Sequence, residues 1–417
     1  MSTLPVSRQA PASNRVVENL SNPIEIGLLT GCKDRPYAFG LAMALVEQGI
    51  AVDVIGGDEL DTPEFHTTPR LRFRNLGGRL RQPAGFTRKL CRLTKYYVRL
   101  IRYTHATRPG IFHILWNNKF ESFDRTLLMA YYKLWGKKIA ITAHNVNQAR
   151  RDSHDSLFNR ITLRIQYHLA DQIFVHTLKM KAELLEHFGV RERAVTVIRH
   201  PLNNAFPDTH LTSNEAKQRL GLSQQYKAIL FLGRISPYKG IDLLLAAFRR
   251  LVAEQSAFRL IIAGELKKGS EDYLKLINQT IQRDFNPEQV ISKIQFVPDE
   301  EMELYLKAAD VLVLPYKEIF QSGVLFLAYS YGLPVVATDV GSFREEIIEG
   351  QTGFLCKPDD PFGLAEAIQT YFASSLYKEL KTRRQKIRDY ANTHHSWSAV
   401  AKLTKNAYAE LLERHFT

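Results

Sequence analysis

Short runs of apolar, often β-branched residues recur along the chain, separated by longer stretches whose apolar positions fall every three or four residues. In the first half the runs are IEIGLLT (24–30), AVDVI (51–55), IFHIL (111–115), KIAITA (138–143), QIFVH (172–176) and AVTVI (194–198). Between the first two, AFGLAMALVEQG has helical spacing and closes on Gly49, as a helix should. Near-continuous apolar strands alternating with helices predict a parallel sheet covered on both faces.

After RHPLNNAFPDTHLTSN the pattern restarts with AILFL (228–232), RLIIA (259–263), KIQFV (293–297), VLVLP (311–315) and PVVATD (334–339). The Asn- and Pro-containing stretch 199–213 reads as the linker. The fold class is therefore α/β, with two doubly wound, Rossmann-like domains facing across a cleft. A polar tail (1–22) precedes an N-terminal domain (23–205) and a C-terminal domain (206–392). The last segment (393–417) carries an amphipathic helix that can cross back to the N-terminal domain. Ligands of open α/β sheets bind at the carboxyl ends of the strands, so the turns that follow strands are the places to inspect.

The first turn, TGCKDRPYAFG, holds Gly31 and lacks GxGxxG, so a dinucleotide fingerprint is absent. A tight turn and a backbone contact to ligand explain Gly31 equally well. His144 and Asn145 follow the KIAITA strand, ahead of a polar loop. A lone histidine is more often structural, but this position favours a role at the cleft.

The turn GRISPYKG (233–240) sits between a strand and a helix. Its order is wrong for a Walker A loop. Ser236 and Lys239 match Ser-x-x-Lys, yet the SDN and KTG partners of penicillin-recognising enzymes do not occur. What remains is Arg234 and Lys239 at a helix N-terminus, where free N–H groups and the helix dipole favour anions. Two solvated surface cations are the plainer alternative. Further on, Glu318 precedes Gln-Ser-Gly and an uncharged helix, VLFLAYSYG. A helix opening on Ser322 and Gly323 presents amides, and a glutamate beside it needs donors such as sugar hydroxyls. A capping acid near an exposed loop is the alternative.

Composition adds a partner. The 417 residues are 45% hydrophobic and 24% charged, with a formal net charge of +13 from 56 basic and 43 acidic residues. Such an excess predicts an anionic partner. It is concentrated: Arg70 to Arg108 contains twelve Lys/Arg and no Asp or Glu. From Phe86, an apolar stripe of Leu90, Leu93, Tyr97, Leu100 and Thr104 is interleaved with Arg88, Lys89, Arg92, Lys95, Arg99 and Arg102. A basic amphipathic helix suits an anionic membrane surface, and a core-facing stripe with a solvated basic face explains it equally well. Neither an RNP-type aromatic pattern nor a zinc-ligand spacing supports nucleic acid as partner. No apolar run approaches the about 18 residues of a membrane span. The start lacks the apolar core of a secretory signal. Cys32, Cys91 and Cys356 form no CxxC pair, which suits a reducing, cytoplasmic compartment.

GRISPYKGIDLLLAAF, FVPDEEMELYLKAADVLVLPY and QSGVLFLAYSYGLPVVATDVGSFREEIIEGQTGFLCKPDDPFGLAEAI together resemble the C-terminal domain of the retaining glycosyltransferases of family 4, which have the GT-B fold. The likeness is densest over 228–373 and continues through AHN and VIRHPLNN. It is closest in character to bacterial polysaccharide-assembly members. The resemblance implies that Arg234 and Lys239 hold the diphosphate of a nucleotide-sugar donor, UDP- or GDP-linked. It implies that Glu318 lies near the donor sugar and that Ser322, Gly323 and Val324 offer amides to phosphate or sugar. His144 would reach the donor sugar from the N-terminal domain, and Gly31 would face the diphosphate.

One departure is clear: where the family's second glutamate precedes AYSYGLPVVA, this chain has Leu327, nine residues after Glu318. The resemblance also implies a glycan or polyprenyl-linked acceptor and an enzyme on the inner face of the cell membrane. No DxD motif occurs, so no metal or other cofactor is required by the sequence. A nucleotide-sugar epimerase on the same scaffold, or a non-catalytic nucleotide-sugar-binding protein, are the alternatives.

Overall fold

The structure, a computed structural model, describes residues 24–78, 86–151, 155–202 and 208–413. The tail 1–22 and the part of the linker at 203–207 lie outside the described residues. Two parallel sheets organise the chain. The first holds β1 (Glu25–Leu29), β2 (Ala51–Gly56), β3 (Leu71–Asn75), β4 (Ile111–Ile114), β5 (Lys138–Ala143), β6 (Gln172–Val175) and β7 (Val195–Val197) in the order β3-β2-β1-β4-β5-β6-β7. The second holds β8 (Lys227–Leu232), β9 (Phe258–Ala263), β10 (Val290–Lys293), β11 (Val311–Leu314), β12 (Val335–Thr338) and β13 (Gly353–Cys356) in the order β10-β9-β8-β11-β12-β13.

In both sheets the order reverses at the first strand. Ile26 of β1 lies opposite Val52 on one side and Ile111 on the other. Ile229 of β8 lies opposite Leu260 and Val311. The turns after β1 and β4, and those after β8 and β11, therefore flank the two switch points where doubly wound sheets hold ligands.

Two strands lacked a clear sequence signal, and one is displaced from its expected place. β3 reads LRFRN: Leu71 is buried while Arg72 and Arg74 point to the other face, the period-two pattern of an edge strand. Their charges serve a buried acid. Arg72 Nε donates to Asp53 Oδ1 at 2.5 Å, and the Tyr103 hydroxyl donates to Oδ2 at 2.8 Å. Part of the basic stretch is thus structural. β13 is a four-residue strand whose apolar run is too short to stand out. KIQFV is not a strand: β10 ends at Lys293, Phe296 is 64% exposed, and Val297 is buried beyond it.

The chain forms two compact units. One runs to Ile141 and adds Leu169–Gln172 and the chain from Ala401; the other holds Thr142–His168 and Ile173–Val400. The closing helix, Trp397–Glu413, brings its later turns into the first unit. There Tyr408, fully buried, sets its hydroxyl 2.5 Å from His113 Nδ1, and Lys405 Nζ donates to the Gln48 carbonyl at 2.8 Å. Among the described residues no helix is long and apolar enough to cross a membrane.

Candidate active site

The β8 turn is built to bring two loops into contact. After Gly233 and Arg234 the chain makes one tight turn, Pro237–Lys239, and enters the Ile241–Glu254 helix through Gly240 at φ 68°. A Cβ on Gly240 would stand 1.9 Å from the Pro315 carbonyl oxygen, so only glycine lets the β8 and β11 turns approach this closely. The Lys317 amide donates to the Tyr238 carbonyl at 2.9 Å, and Lys317 Nζ pairs with Asp242 at 2.7 Å.

This contact positions Lys239. Its residue is 7% exposed, and Nζ lies 3.7 Å from the centroid of the Tyr316 ring and 5.2 Å from that of Tyr238. A cation at the face of an aromatic ring is stabilised without being neutralised. Burial pushes the Tyr316 phenol up, keeping it a neutral wall. Arg234 lies in the open, its side chain 68% exposed and its Nε 3.2 Å from Glu265 Oε1. Ser236 Oγ is buried with no hydrogen-bond partner.

On the β11 side, Ser322 precedes the Gly323–Ser330 helix, whose start no side chain caps. Ser322 Oγ instead lies 3.3 Å from the Tyr316 hydroxyl. The amides of Gly323 and Val324 therefore remain a donor pair at a helix N-terminus, and Val324 packs beside Gly233. The body of this helix is core: Leu325, Phe326, Leu327, Ala328 and Tyr329 are all buried. Leu327 thus belongs to the packing of the unit, and the helix offers no carboxylate.

Glu318 is exposed and lines a cavity of about 700 Å³ with Arg150, Lys179, Glu183 and Arg344. Burial pushes the Glu183 carboxyl up, Arg150 opposes this, and Glu318 adds to it. His144 follows β5, with Nδ1 3.3 Å from His176 Nε2.

The second unit thus brings Arg234, Lys239, Ser322, Gly323 and Val324 to one switch point, and it also contains Glu318 and His144. Gly31 belongs to the first unit. It sits at φ 58°, and a Cβ there would meet the Trp116 carbonyl oxygen at 2.6 Å. This tight approach of the β1 and β4 turns forms one wall of a cavity of about 200 Å³ that Cys32, Glu59, Arg92 and Lys119 also line. Tyr316, Glu265 and His176 were missed by sequence reasoning. Only the strand-end position of Tyr316 and His176 could have marked them.

The basic stretch resolves into a helix, Phe86–Ala106. Tyr97, Leu100 and Thr104 of the apolar stripe face the core, whereas Leu90 is 48% exposed. Arg92 is half-buried at the Gly31 cavity, and Lys95 and Arg99 are exposed. The side chains of Phe86, Arg88 and Lys89 fall outside the described residues.

Two doubly wound parallel sheets in one chain define the GT-B architecture. Sucrose-phosphate synthase from Thermosynechococcus elongatus shares the fold, with a TM-score of 0.73 at 19% identity over 94% of this chain and 99% of that one. So does the Anabaena protein HepE in complex with UDP-glucose, with a TM-score of 0.69 at 17% identity over 94% and 99%. The chain is a member of glycosyltransferase family 4: the model "Glycosyltransferase Family 4" matches residues 36–205, and "Glycosyl transferases group 1" matches 212–394. Among its relatives, the D-inositol 3-phosphate glycosyltransferase of Corynebacterium aurimucosum is 26% identical over 67% of this chain and 68% of that protein. The protein of the same name from Pseudarthrobacter chlorophenolicus is 27% identical over 91% and 90%. The protein is a glycosyltransferase.

Proposed function

We propose that this glycosyltransferase moves a sugar, with retention of anomeric configuration, from a UDP- or GDP-sugar to a glycan or lipid-linked acceptor in cell-surface polysaccharide assembly. The observation that carries the reading is the buried Lys239 ammonium on the Tyr316 ring, at the switch point where Arg234 and the Gly323 and Val324 amides converge. Such a group of donors fits a diphosphate. As the bond from anomeric carbon to diphosphate oxygen breaks, negative charge collects on the diphosphate and positive charge on the sugar ring. Lys239 and Arg234 stabilise the first, and fixed charges of this kind act most strongly where water is excluded. The acceptor hydroxyl bonds to the anomeric carbon on the same face, and its proton passes to the departing diphosphate oxygen. With two cations at the leaving group, the reaction requires no metal ion. Glu318 and His144 meet sugar hydroxyls, and ribose recognition falls to groups outside the Gly323–Ser330 helix.

The test is thermal stability with UDP, GDP, ADP and their sugar conjugates. A ligand at about 100 times its dissociation constant stabilises by about 2.7 kcal/mol. One base should stabilise the wild type and not Lys239→Ala, and acceptor assays then follow with that donor. Release of free altered sugar without acceptor would support an epimerase. Binding without turnover would support a non-catalytic protein.

The acceptor reading carries a membrane surface with it. On the Phe86–Ala106 helix, Leu90, Val98 and Ile101 are exposed beside exposed Lys95, Arg99 and Arg102. The Tyr131 hydroxyl donates to the Ile101 carbonyl at 3.2 Å, and the His105 and Trp135 rings lie 4.3 Å apart. This neighbour adds Leu134, 84% exposed, and Trp135 to the same apolar-and-basic face. Apolar side chains flanked by cations suit the headgroup region of an anionic bilayer. The enzyme would then work as a peripheral protein on the inner face of the cell membrane. It should co-sediment with phosphatidylglycerol vesicles and not with phosphatidylcholine vesicles. The Lys95→Ala/Arg99→Ala pair should weaken the partition by about 30-fold. Equal binding to both vesicle types would refute the surface.

A further inference from the structure

A carboxylate stands beside the proposed diphosphate site, where charge repulsion alone would exclude it. Glu265 lies two residues past the end of β9, and Arg234 reaches its Oε1 through Nε at 3.2 Å. The backbone fixes this arrangement. The Gly233 amide donates to the Ala263 carbonyl at 3.0 Å and the Ile235 amide to the Glu265 carbonyl at 2.8 Å. The Lys267 amide returns to the Ile235 carbonyl at 3.0 Å, so parallel pairing continues beyond both strands. A Cβ on Gly264, at φ 146°, would stand 2.0 Å from the Gly233 carbonyl oxygen, and only glycine lets the two turns close in this way. The turns after β8 and β9 form one hydrogen-bonded ledge.

The carboxylate on this ledge is open. Its side chain is 44% exposed, and a solvated pair such as Arg234 and Glu265 adds little to the stability of a fold. Asp242, another acid near these turns, is already engaged: Oδ1 accepts from the Tyr273 hydroxyl at 2.6 Å, and Oδ2 pairs with Lys317 at 2.7 Å. The Gly323–Ser330 helix carries no carboxylate. In nucleotide-binding βαβ units, phosphate rests at the turn after the first strand and an acid beyond the second takes ribose hydroxyls. β8, the Ile241–Glu254 helix and β9 make such a unit, and β9 lies on the side of β8 away from β11. With the sugar end of the donor towards Glu318, which follows β11, the β9 side is left for the nucleoside.

We propose that Glu265 receives the ribose hydroxyls of the donor nucleoside, with Arg234 placed between it and the diphosphate. The inference rests on the reading of the β8 switch point as the seat of that diphosphate. A vicinal diol offers two donors to the two oxygens of one carboxylate. Arg234 offsets the charge of Glu265, so the acid can stand near phosphate oxygens.

The test compares ligands that differ only in the ribose. Calorimetric titration with UDP, GDP and ADP, and with their 2′,3′-dideoxy counterparts, gives the discrimination of wild type and of Glu265→Ala, with melting curves to establish that the variant folds. Wild type should bind its preferred ribonucleotide about 30-fold more tightly than the dideoxy form, and Glu265→Ala should reduce that ratio to about threefold or less. Pyrophosphate, which has no ribose, should bind the variant at least as well as wild type, because a negative charge has left the site. Equal losses of pyrophosphate and nucleotide binding would make Glu265 a support for Arg234 alone and overturn the proposal. A wild type indifferent to the ribose hydroxyls, or a ratio unchanged in Glu265→Ala, overturns the role of Glu265 while leaving the donor site intact. Failure of every nucleoside diphosphate to bind wild type would overturn the donor reading and the proposal with it.

Discussion

Lys239→Ala is expected to lower kcat for sugar transfer by about 10²–10³-fold, the usual cost of removing one fixed donor from a developing oxyanion. The ammonium lies over the ring of Tyr316 in a buried position at the switch point, where water screens its field little. Charge on the leaving diphosphate is greatest in the transition state. The donor KM should therefore rise by less than kcat falls. Arg234→Ala should cost less, about tenfold, because its guanidinium is solvated and already shared with Glu265. Single-turnover rates at saturating donor, with melting curves to establish that the variants fold, decide the matter. A loss under about threefold for Lys239→Ala would remove the central observation from the proposed mechanism.

Acidification from pH 7 to 5 should destabilise the second unit more than the first. Burial pushes His176 down to about 4 and His200 down to about 3, against 6.5 for a solvated histidine. A group depressed in the folded state contributes stability that is complete above its unfolded value and is lost as pH falls toward the folded one. Between pH 6.5 and 5 the unfolded chain binds protons that the folded unit refuses, which costs about 2 kcal/mol for each histidine. Glu183 and Glu345, raised by burial, offset part of this. In the first unit His113, pushed down to about 3, has the same sign, and Asp124, pushed up to about 6, has the opposite one. Asp124 contributes stability below its unfolded value of 3.8 that is lost as pH rises towards 6, so the two nearly cancel there. Urea unfolding followed by hydrogen exchange, which resolves the units, should show the asymmetry. An identical profile at pH 7 and 5 would mean that the histidines are not held neutral.

What could be read in advance follows from where burial is symmetrical. β1, β4, β8, β9 and β11 are covered on both faces, so their apolar runs stand out against any neighbour. β3 alternates with arginines whose acidic partner lies 19 and 21 residues earlier, and no local pattern reports such a pairing. The site divides in the same way. Arg234 and Lys239 were legible because a strand, two glycines and a helix frame them. Tyr316, which gives Lys239 its environment, enters from β11, across the contact that Gly240 permits. His144 lies against His176, a partner 32 residues away. Leu90 belongs to the apolar stripe by spacing and is solvent-facing in the fold, because the core beneath the helix begins a turn later.

The contact between Tyr408 and His113 spans 295 residues of chain. On a ribosome, the segment to Ile141 is made before the second unit, and its buried partner Tyr408 arrives only after the sequence of that unit has passed. The second unit can close while the first still lacks that piece. The first unit is therefore the one that lingers with exposed apolar surface during synthesis, and the one a nascent-chain chaperone would meet.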